Sequence, residues 1–350
     1  MLPILLRGFL TACAPLYCLG LEIYLLPYSL GIRKRTLLNC PVLCVGNLTT
    51  GGTGKTPMVQ ALCRNLLAQG KRIVILSRGY GGKNEYGCAV VSDGKQVLLT
   101  PEEAGDEAYL LASTLPGVPV VVGKDRRITG KLANERFQPD LIVLDDGMQF
   151  WQLHRDLDIV LLNACEPFDN GWTFPRGLLR EPPSHLRRAG IIVLTNAHQA
   201  GAAQVADVRA QASRLAPNVP LFTADLLPTD LHSFSDRVQY TADWLKGRKI
   251  AALSALGNPA AFEATLRTLK AEIVTAFRFR DHQEIQPVDL DRVFVEAYAT
   301  DAEAVVTTAK DAVKMSPSAA TLPFLILNVT MQIDDQETFL MEVQRRIKQD

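Results

Sequence analysis

Net charge is the first thing this chain of 350 residues lacks: 37 Lys and Arg are cancelled by 37 Asp and Glu. Without a whole-molecule field to hold a polyanion, a dedicated nucleic-acid binder is disfavoured, and contact with phosphate or membrane has to come from local patches. Paired cysteines are missing too. The seven stand at 13, 18, 40, 44, 63, 88 and 165, an odd count with no C-x-x-C pair. Neither a zinc site nor a disulfide framework is indicated, and a reducing cytoplasm is the simplest setting. No internal repeat is evident. At 47% hydrophobic and 21% charged the composition is that of neither a disordered nor a polytopic membrane chain. The length suits two domains of roughly 100–200 residues each.

Long uncharged runs are scarce as well. Residues 1–32 are strongly apolar and are followed at once by Arg33, Lys34 and Arg35. The longest uncharged stretch within this segment, residues 8–21, has 14 residues, short of the roughly 20 that a spanning helix needs. Glu22 would fall mid-membrane, and Pro15 and Pro27 interrupt the segment. A secretory signal is disfavoured because no convincing small-x-small cleavage site follows the stretch after Arg7. Two readings stand level on the residues alone. One is a buried helical hairpin on the main core. The other is an interfacial element whose apolar face enters the headgroup region while the basic trio meets anionic lipid.

What is present after residue 40 is a regular alternation. Residues 41–45, 72–76, 118–122, 141–144, 157–162 and 191–195 are short apolar runs that predict strands, with helices expected over 56–69 and 103–115. Such runs, separated by helical stretches, predict a parallel sheet covered on both sides. A second series follows: strands at 221–223, 249–253, 305–308 and 324–327, helices at 259–269, 289–300 and 337–348. A boundary is expected near 222–245, where Pro228, Asp230 and residues 233–236 break the pattern.

The most informative stretch is Thr49-Thr50-Gly51-Gly52-Thr53-Gly54-Lys55-Thr56-Pro57, which follows a strand and opens a helix, the context a P-loop requires. Gly51, Gly52 and Gly54 let backbone N–H groups, that of Thr53 included, converge on phosphate oxygens. Lys55 adds a point charge at the β- and γ-phosphates, and Thr56 offers a hydroxyl to Mg²⁺. Pro57 fits a first helical turn, where a missing N–H does no harm. Thr49 occupies the position of the first glycine, a departure from the strict motif. The acidic partner a metal needs is Asp145-Asp146-Gly147, at the end of the strand over 141–144.

These blocks form an ordered set. Residues 46–57, Ser77-Arg78-Gly79-Tyr80-Gly81, Gly105-Asp106-Glu107, residues 144–149, Arg155-Asp156-Leu157-Asp158, Arg180-Glu181-Pro182, Gly257-Asn258-Pro259, Asp281-His282 and Lys310-Asp311-Ala312-Val313-Lys314 resemble the tetraacyldisaccharide 4′-kinase family of the lipid A (lipopolysaccharide) pathway. The resemblance runs from about residue 41 to 330. It implies an α/β fold of two α/β/α sandwich domains, the first a P-loop NTPase-type parallel sheet, with the active site in the cleft between them. It implies transfer of the ATP γ-phosphate, with Mg²⁺, to the 4′-hydroxyl of a tetraacylated glucosamine disaccharide 1-phosphate at the cytoplasmic face of the bacterial inner membrane. The domains expected are a membrane-associating helical segment over 1–35, the P-loop kinase domain over 36–222, a linker over 223–245 and a closing α/β domain over 246–350. A lipid substrate and the membrane surface are the partners expected, with no nucleic acid and no obligate protein partner.

Carried over residue by residue, Asp106 matches the catalytic aspartate, expected to accept the hydroxyl proton, and His282 the histidine paired with it. Asp106 also fits a helix N-cap. Asp145 and Asp146 match the metal pair, and Gln149 a polar position near the phosphates. Arg78 and Arg180 are candidates for substrate phosphate or sugar, since Arg presents a planar fork of donors. The level alternative for Arg180 is an ion pair with Glu181 or a neighbour. Lys310 and Asp311 are expected either to close the cleft or to form a domain-stabilising pair. Three positions depart from the family pattern: Phe150 and Gln283 where a histidine is usual, and Ala309 where a glutamate is usual. Two other classes compete. A nucleotide-switch ATPase or GTPase is disfavoured because no Asn-Lys-x-Asp loop is present and a switch needs no lipophilic amino terminus. A membrane-associated scaffold that has lost catalysis has only the three departures behind it.

Overall fold

Residue parity along the strands builds the first half. In β1 (Val42–Asn47), Val42 and Cys44 belong to one apolar core and Leu43 and Val45 to another, because successive strand side chains point to opposite faces. The computed structural model describes residues 4–236, 238–280, 283, 285–315 and 322–347. After a long first helix, α1 (Ile4–Ser29), and β1 come α2 (Lys55–Ala68), β2 (Ile73–Ser77), β3 (Ala89–Ser92), α3 (Pro101–Ala104), α4 (Asp106–Thr114), β4 (Val120–Val122), α5 (Arg126–Phe137), β5 (Leu141–Asp145), β6 (Leu157–Asn163), β7 (Ile191–Thr195), α6 (Ala197–Ala200) and α7 (Ala202–Leu215). On one face α2 and α4 cover Leu43, Ile75, Val143 and Ile159; on the other, α5 and α7 cover Cys44, Leu76, Leu144 and Val160. Each fully buried Leu or Ile in these rows is worth about 1.5–3 kcal/mol.

The second half adds β8 (Leu221–Ser233), β9 (Gln239–Thr241), β10 (Lys249–Ser254), α8 (Pro259–Thr268), β11 (Glu272–Arg278), α9 (Pro287–Ala299), β12 (Ala304–Thr308), α10 (Ala309–Ala312), β13 (Phe324–Ile333) and α11 (Gln336–Ile347). The strands form one sheet in the order β11-β10-β12-β13-β8-β7-β6-β1-β5-β2-β4-β3, with β9 on β8. It is parallel apart from β3 on β4, β9 on β8 and the β8–β13 seam. At that seam two long strands run between the halves. The ends of β8 and β13 at Ala224 and Ile333 lie in the core of the first half, and Leu231, Leu325 and Leu327 in the core of the second. Residues 223–245 thus contain most of β8 and all of β9. The chain then returns: Phe339 and Val343 of α11 pack in the first-half core.

At the amino terminus the structure replaces the hairpin with a single 26-residue helix that holds both Pro15 and Pro27. Pro27 falls in the last turn, and at Pro15 only one backbone hydrogen bond is forfeited, so the helix continues. Leu6–Ser29 is long and apolar enough, by length and composition, to cross a membrane. Ala14, Leu25 and Tyr28 are buried, whereas Leu6, Phe9, Leu16, Leu19, Ile23 and Leu26 are exposed. Arg33 and Arg35 of the basic trio lie over the rings of Tyr28 and Trp151, at 5.3 and 5.2 Å.

Candidate functional site

Parallel strands end on a common edge, and β1, β2, β5 and β7 all deliver polar residues there, the position at which open α/β sheets take their ligands. Asn47, the last residue of β1, is buried and ties the glycine loop together. Its Nδ2 donates to Thr53 Oγ1 (2.9 Å) and Thr49 Oγ1 (3.4 Å), and its Oδ1 accepts from Lys55 Nζ at 3.3 Å. Thr195 at the end of β7 donates to the Thr53 carbonyl, 3.1 Å. The loop turns through Gly51 (φ 122°) and Gly54 (φ 82°), left-handed backbone that favours glycine. Gly51 and Gly52 are exposed. Lys55 and Thr56 open α2. Thr49, at the position of the strict motif's first glycine, sits opposite Leu179 in a bridge.

Asp145 ends β5 with its side chain buried; Oδ2 accepts from Ser77 Oγ at 3.2 Å and Oδ1 has no partner among the described residues. Burial, together with the negative charges of Glu107 and Asp146, pushes its pKa up to about 7. A buried carboxylate oxygen left without a donor beside a second aspartate suits a hard cation such as Mg²⁺. Asp146 follows in left-handed conformation (φ 51°). Its oxygens accept from Arg180 Nη1 at 2.9 Å each, and Lys55 Nζ lies 3.8 Å away. Gln149 donates to the Asn47 carbonyl and to Glu181 Oε1 (3.1 Å each) and accepts from Arg180 at 3.2 Å. The ion pair expected for Arg180 therefore exists, but its partner is Asp146; Glu181 pairs with His185 and Arg188 instead.

Asp106 is the first residue of α4, and Gly105 occupies the cap position, which corrects the N-cap alternative. Gly105 has φ 83° and ψ 145° and packs so closely that a Cβ would meet the Tyr80 carbonyl oxygen at 2.7 Å. From the second half, Lys314 places its buried ammonium 3.2 Å from Asp106 Oδ2, and Lys310 reaches Glu107 at 3.3 Å. Asp311 does not join Lys310: it turns inward, where Thr308 Oγ1 donates to it at 2.8 Å, and burial raises its pKa.

Comparison with known proteins fits this geometry. A profile of the tetraacyldisaccharide-1-P 4′-kinase family matches residues 6–348. The chain is 42% identical over 317 residues to the tetraacyldisaccharide 4′-kinase of Geobacter metallireducens, with 91% of each chain covered. It is 39% identical over 343 residues to that of Syntrophus aciditrophicus, covering 92% of this chain and 91% of the relative. The chain belongs to the tetraacyldisaccharide-1-P 4′-kinase family. A crystal structure of the Aquifex aeolicus member in complex with ATP superimposes with a TM-score of 0.79 at 32% identity, over 98% of this chain and 99% of that one.

Within this kinase family member, the structure draws Lys55, Asp145, Asp146, Gln149 and Arg180 into one cluster. Arg78 stands apart from it, its Nε donating to Glu85 Oε1 at 2.6 Å and its guanidinium 5.6 Å from the Tyr80 ring centroid. His282 lies outside the described residues. Sequence reasoning missed Arg126, which is 4% exposed at the start of α5. Its Nε lacks a partner among the described residues. Burial lowers its pKa against the opposing pull of Asp145 and Asp146. Its signal was its place just beyond β4, on the strand edge that already supplied Asp145. Phe150, one of the three departures, has its ring 5.7 Å from Arg126 and packs into the core. Ala309 follows the Thr308 cap of α10, and Gln283 Oε1 accepts from the Arg280 N–H at 3.1 Å.

The Gly105 geometry yields a test. Gly105→Ala is expected to cost about 2 kcal/mol or more, from strained backbone plus the clash with the Tyr80 carbonyl. Its effect on turnover is expected to exceed its effect on melting, since the strain displaces Asp106. Thermal unfolding measured beside phosphate transfer checks both; an unchanged melting temperature refutes the strain argument.

Proposed function

We propose that this chain transfers the γ-phosphate of ATP to the 4′-hydroxyl of a tetraacylated glucosamine disaccharide 1-phosphate, with Mg²⁺, in lipid A biosynthesis. The observation that carries the reading is the meeting of two sets of charges on one strand edge. Lys55 and Arg180 converge on Asp146, and the neighbouring Asp106–Glu107 pair faces lysines of the second half. Glu107 is near enough to Asp145 to raise its pKa.

In this reading Gly51, Gly52, Thr53 and Gly54 present backbone N–H groups to the phosphates, and Lys55 neutralises charge on the β- and γ-oxygens. Asp145, Asp146 and the Thr56 hydroxyl would hold Mg²⁺, which would supply neutralisation of phosphate charge. Gln149 fixes the Arg180 guanidinium. Arg180 and Arg78 provide donors for sugar or phosphate oxygens. Asp106 accepts the 4′-hydroxyl proton as the new P–O bond forms and the β–γ bridge breaks, with His282 as its partner. Residues 36–222 form the nucleotide lobe and residues 246–350 bring Lys310 and Lys314 over it, with 223–245 between them. Closing the lobes excludes water that would otherwise accept the phosphoryl group.

The exposed apolar side of α1 and the basic residues after it hold the enzyme on the cytoplasmic face of the inner membrane, where its lipid substrate resides. The test is transfer from γ-labelled ATP with Mg²⁺, in detergent micelles, to the tetraacyl disaccharide 1-phosphate. Label at the 4′ position supports the reading; nucleotide hydrolysis that ignores the lipid overturns it.

A further inference from the structure

Glu22 is the one acidic residue of α1, and it points at the globular body. Its Oε1 lies 2.8 Å from His185 Nε2, while His185 Nδ1 lies 2.6 Å from Glu181 Oε2. The imidazole is 3% exposed. Each ring nitrogen thus faces a carboxylate oxygen, and an ionised carboxylate accepts. Arg188 Nη2 donates to Glu181 at 2.5 Å, and Glu181 is held below the usual carboxylate range by His185 and Arg188 against its burial.

The chain of contacts continues to the phosphate site. Gln149 Nε2 spends one hydrogen on Glu181 Oε1 and the other on the Asn47 carbonyl. A flipped amide would set its oxygen against two acceptors, so Glu181 dictates that Gln149 Oε1 faces Arg180 Nη1. That same nitrogen reaches both oxygens of Asp146. Other contacts seat α1 on this same region: Tyr17 Oη donates to the Arg180 carbonyl at 2.8 Å, and Arg176 Nε to Thr11 Oγ1 at 3.0 Å.

We propose that His185 is a positioning residue for phosphate transfer and that Glu22 couples it to the seat of α1. When α1 rests on lipid with Glu22 against the imidazole, Glu181, Gln149 and Arg180 are locked in the arrangement Asp146 requires. When α1 lifts, His185 loses one acceptor and the amide of Gln149 loses its fixed orientation. Nucleotide handling at the phosphate loop is thereby tied to lipid engagement through this relay of side chains. This rests on the kinase reading above and on α1 as the lipid-facing element.

The test uses the full chain with Glu22→Ala and Glu22→Gln, both at a half-exposed position that the fold tolerates. MgATP affinity is measured by calorimetry in micelles, and kcat and KM for the lipid from γ-labelled ATP. Co-sedimentation is measured with phosphatidylethanolamine–phosphatidylglycerol vesicles. Glu22→Ala is expected to lower kcat and MgATP affinity about tenfold, the usual range for outer partners of a metal site. KM for the lipid and co-sedimentation stay as they were. Glu22→Gln, whose amide oxygen still accepts from Nε2, recovers most of the loss. If Glu22→Ala instead raises KM or weakens co-sedimentation with kcat and MgATP affinity intact, Glu22 is only an anchor and the coupling is wrong. A Glu22→Gln variant as impaired as Glu22→Ala also overturns it. Absence of transfer by the unaltered chain would sink the kinase reading while the MgATP measurement still decides the coupling.

Discussion

Lys55→Ala is expected to reduce phosphate transfer about 10³-fold while leaving the fold in place, a loss of about 4 kcal/mol of transition-state stabilisation. The magnitude follows from where the ammonium sits. Its side chain is 12% exposed, 3.3 Å from Asn47 Oδ1 and 3.8 Å from Asp146, so its charge is screened far less than a surface lysine's. In the proposed reaction, charge that grows on the transferring phosphoryl oxygens would meet a cation already in position, with little solvent to reorganise. Stability depends little on it, because Asp146 keeps Arg180 and the loop keeps its Asn47–Thr53 and Thr195–Thr53 bonds. Labelled-ATP turnover alongside thermal melting checks both halves. Near-normal turnover would remove the phosphate-loop assignment, and collapse of the fold would make Lys55 structural.

Asp106→Asn is expected to slow kcat by about 10²–10⁴-fold, the usual contribution of a positioned general base, with MgATP affinity nearly unchanged. Asparagine keeps the shape and removes the proposed proton acceptor, so the loss is expected on the chemical step. The structure adds a complication and its control. Lys314 is 4% exposed and 3.2 Å from Asp106, and neutralising the aspartate leaves a buried ammonium poorly compensated, which destabilises the protein. Asp106→Asn combined with Lys314→Met should therefore recover melting temperature but not turnover. Recovery of turnover in the double variant would show that Asp106 acts through its ion pair and not as the base. Equal loss of MgATP binding and turnover in the single variant would place it in the nucleotide site.

Much of the molecule was legible in the chain because its signals are local. The parallel sheet showed in runs such as residues 141–144 and 191–195, apolar on both faces, since such strands have no solvent face to mark with charge. The phosphate loop and the Asp145-Asp146 pair were legible for the same kind of reason: a glycine turn between strand and helix, and a carboxylate at a strand end, each need only a few adjacent residues. What adjacency does not encode was missed. Arg126 belongs to no motif, and only the fold buries it near Asp145 and Asp146. The proline pair in α1 suggested a break because propensity acts locally, whereas packing of Ala14, Leu25 and Tyr28 against the body favours one continuous helix.

Pairing across long sequence separations was the work of tertiary structure alone. Sequence placed Arg180 beside Glu181 and left its ion pair open between that residue and another; the fold sends Glu181 inward to His185 and Arg188 and gives Arg180 to Asp146, 34 residues away. It likewise brings Lys314 to Asp106 and Glu22 to His185. The chain by itself determined the type of chemistry, because nucleotide binding demands a glycine loop, a lysine and paired aspartates at short fixed spacings. Which charges neutralise which was decided only by the sheet that sets those segments side by side, since electrostatic energy depends on distance in space and not on distance along the chain.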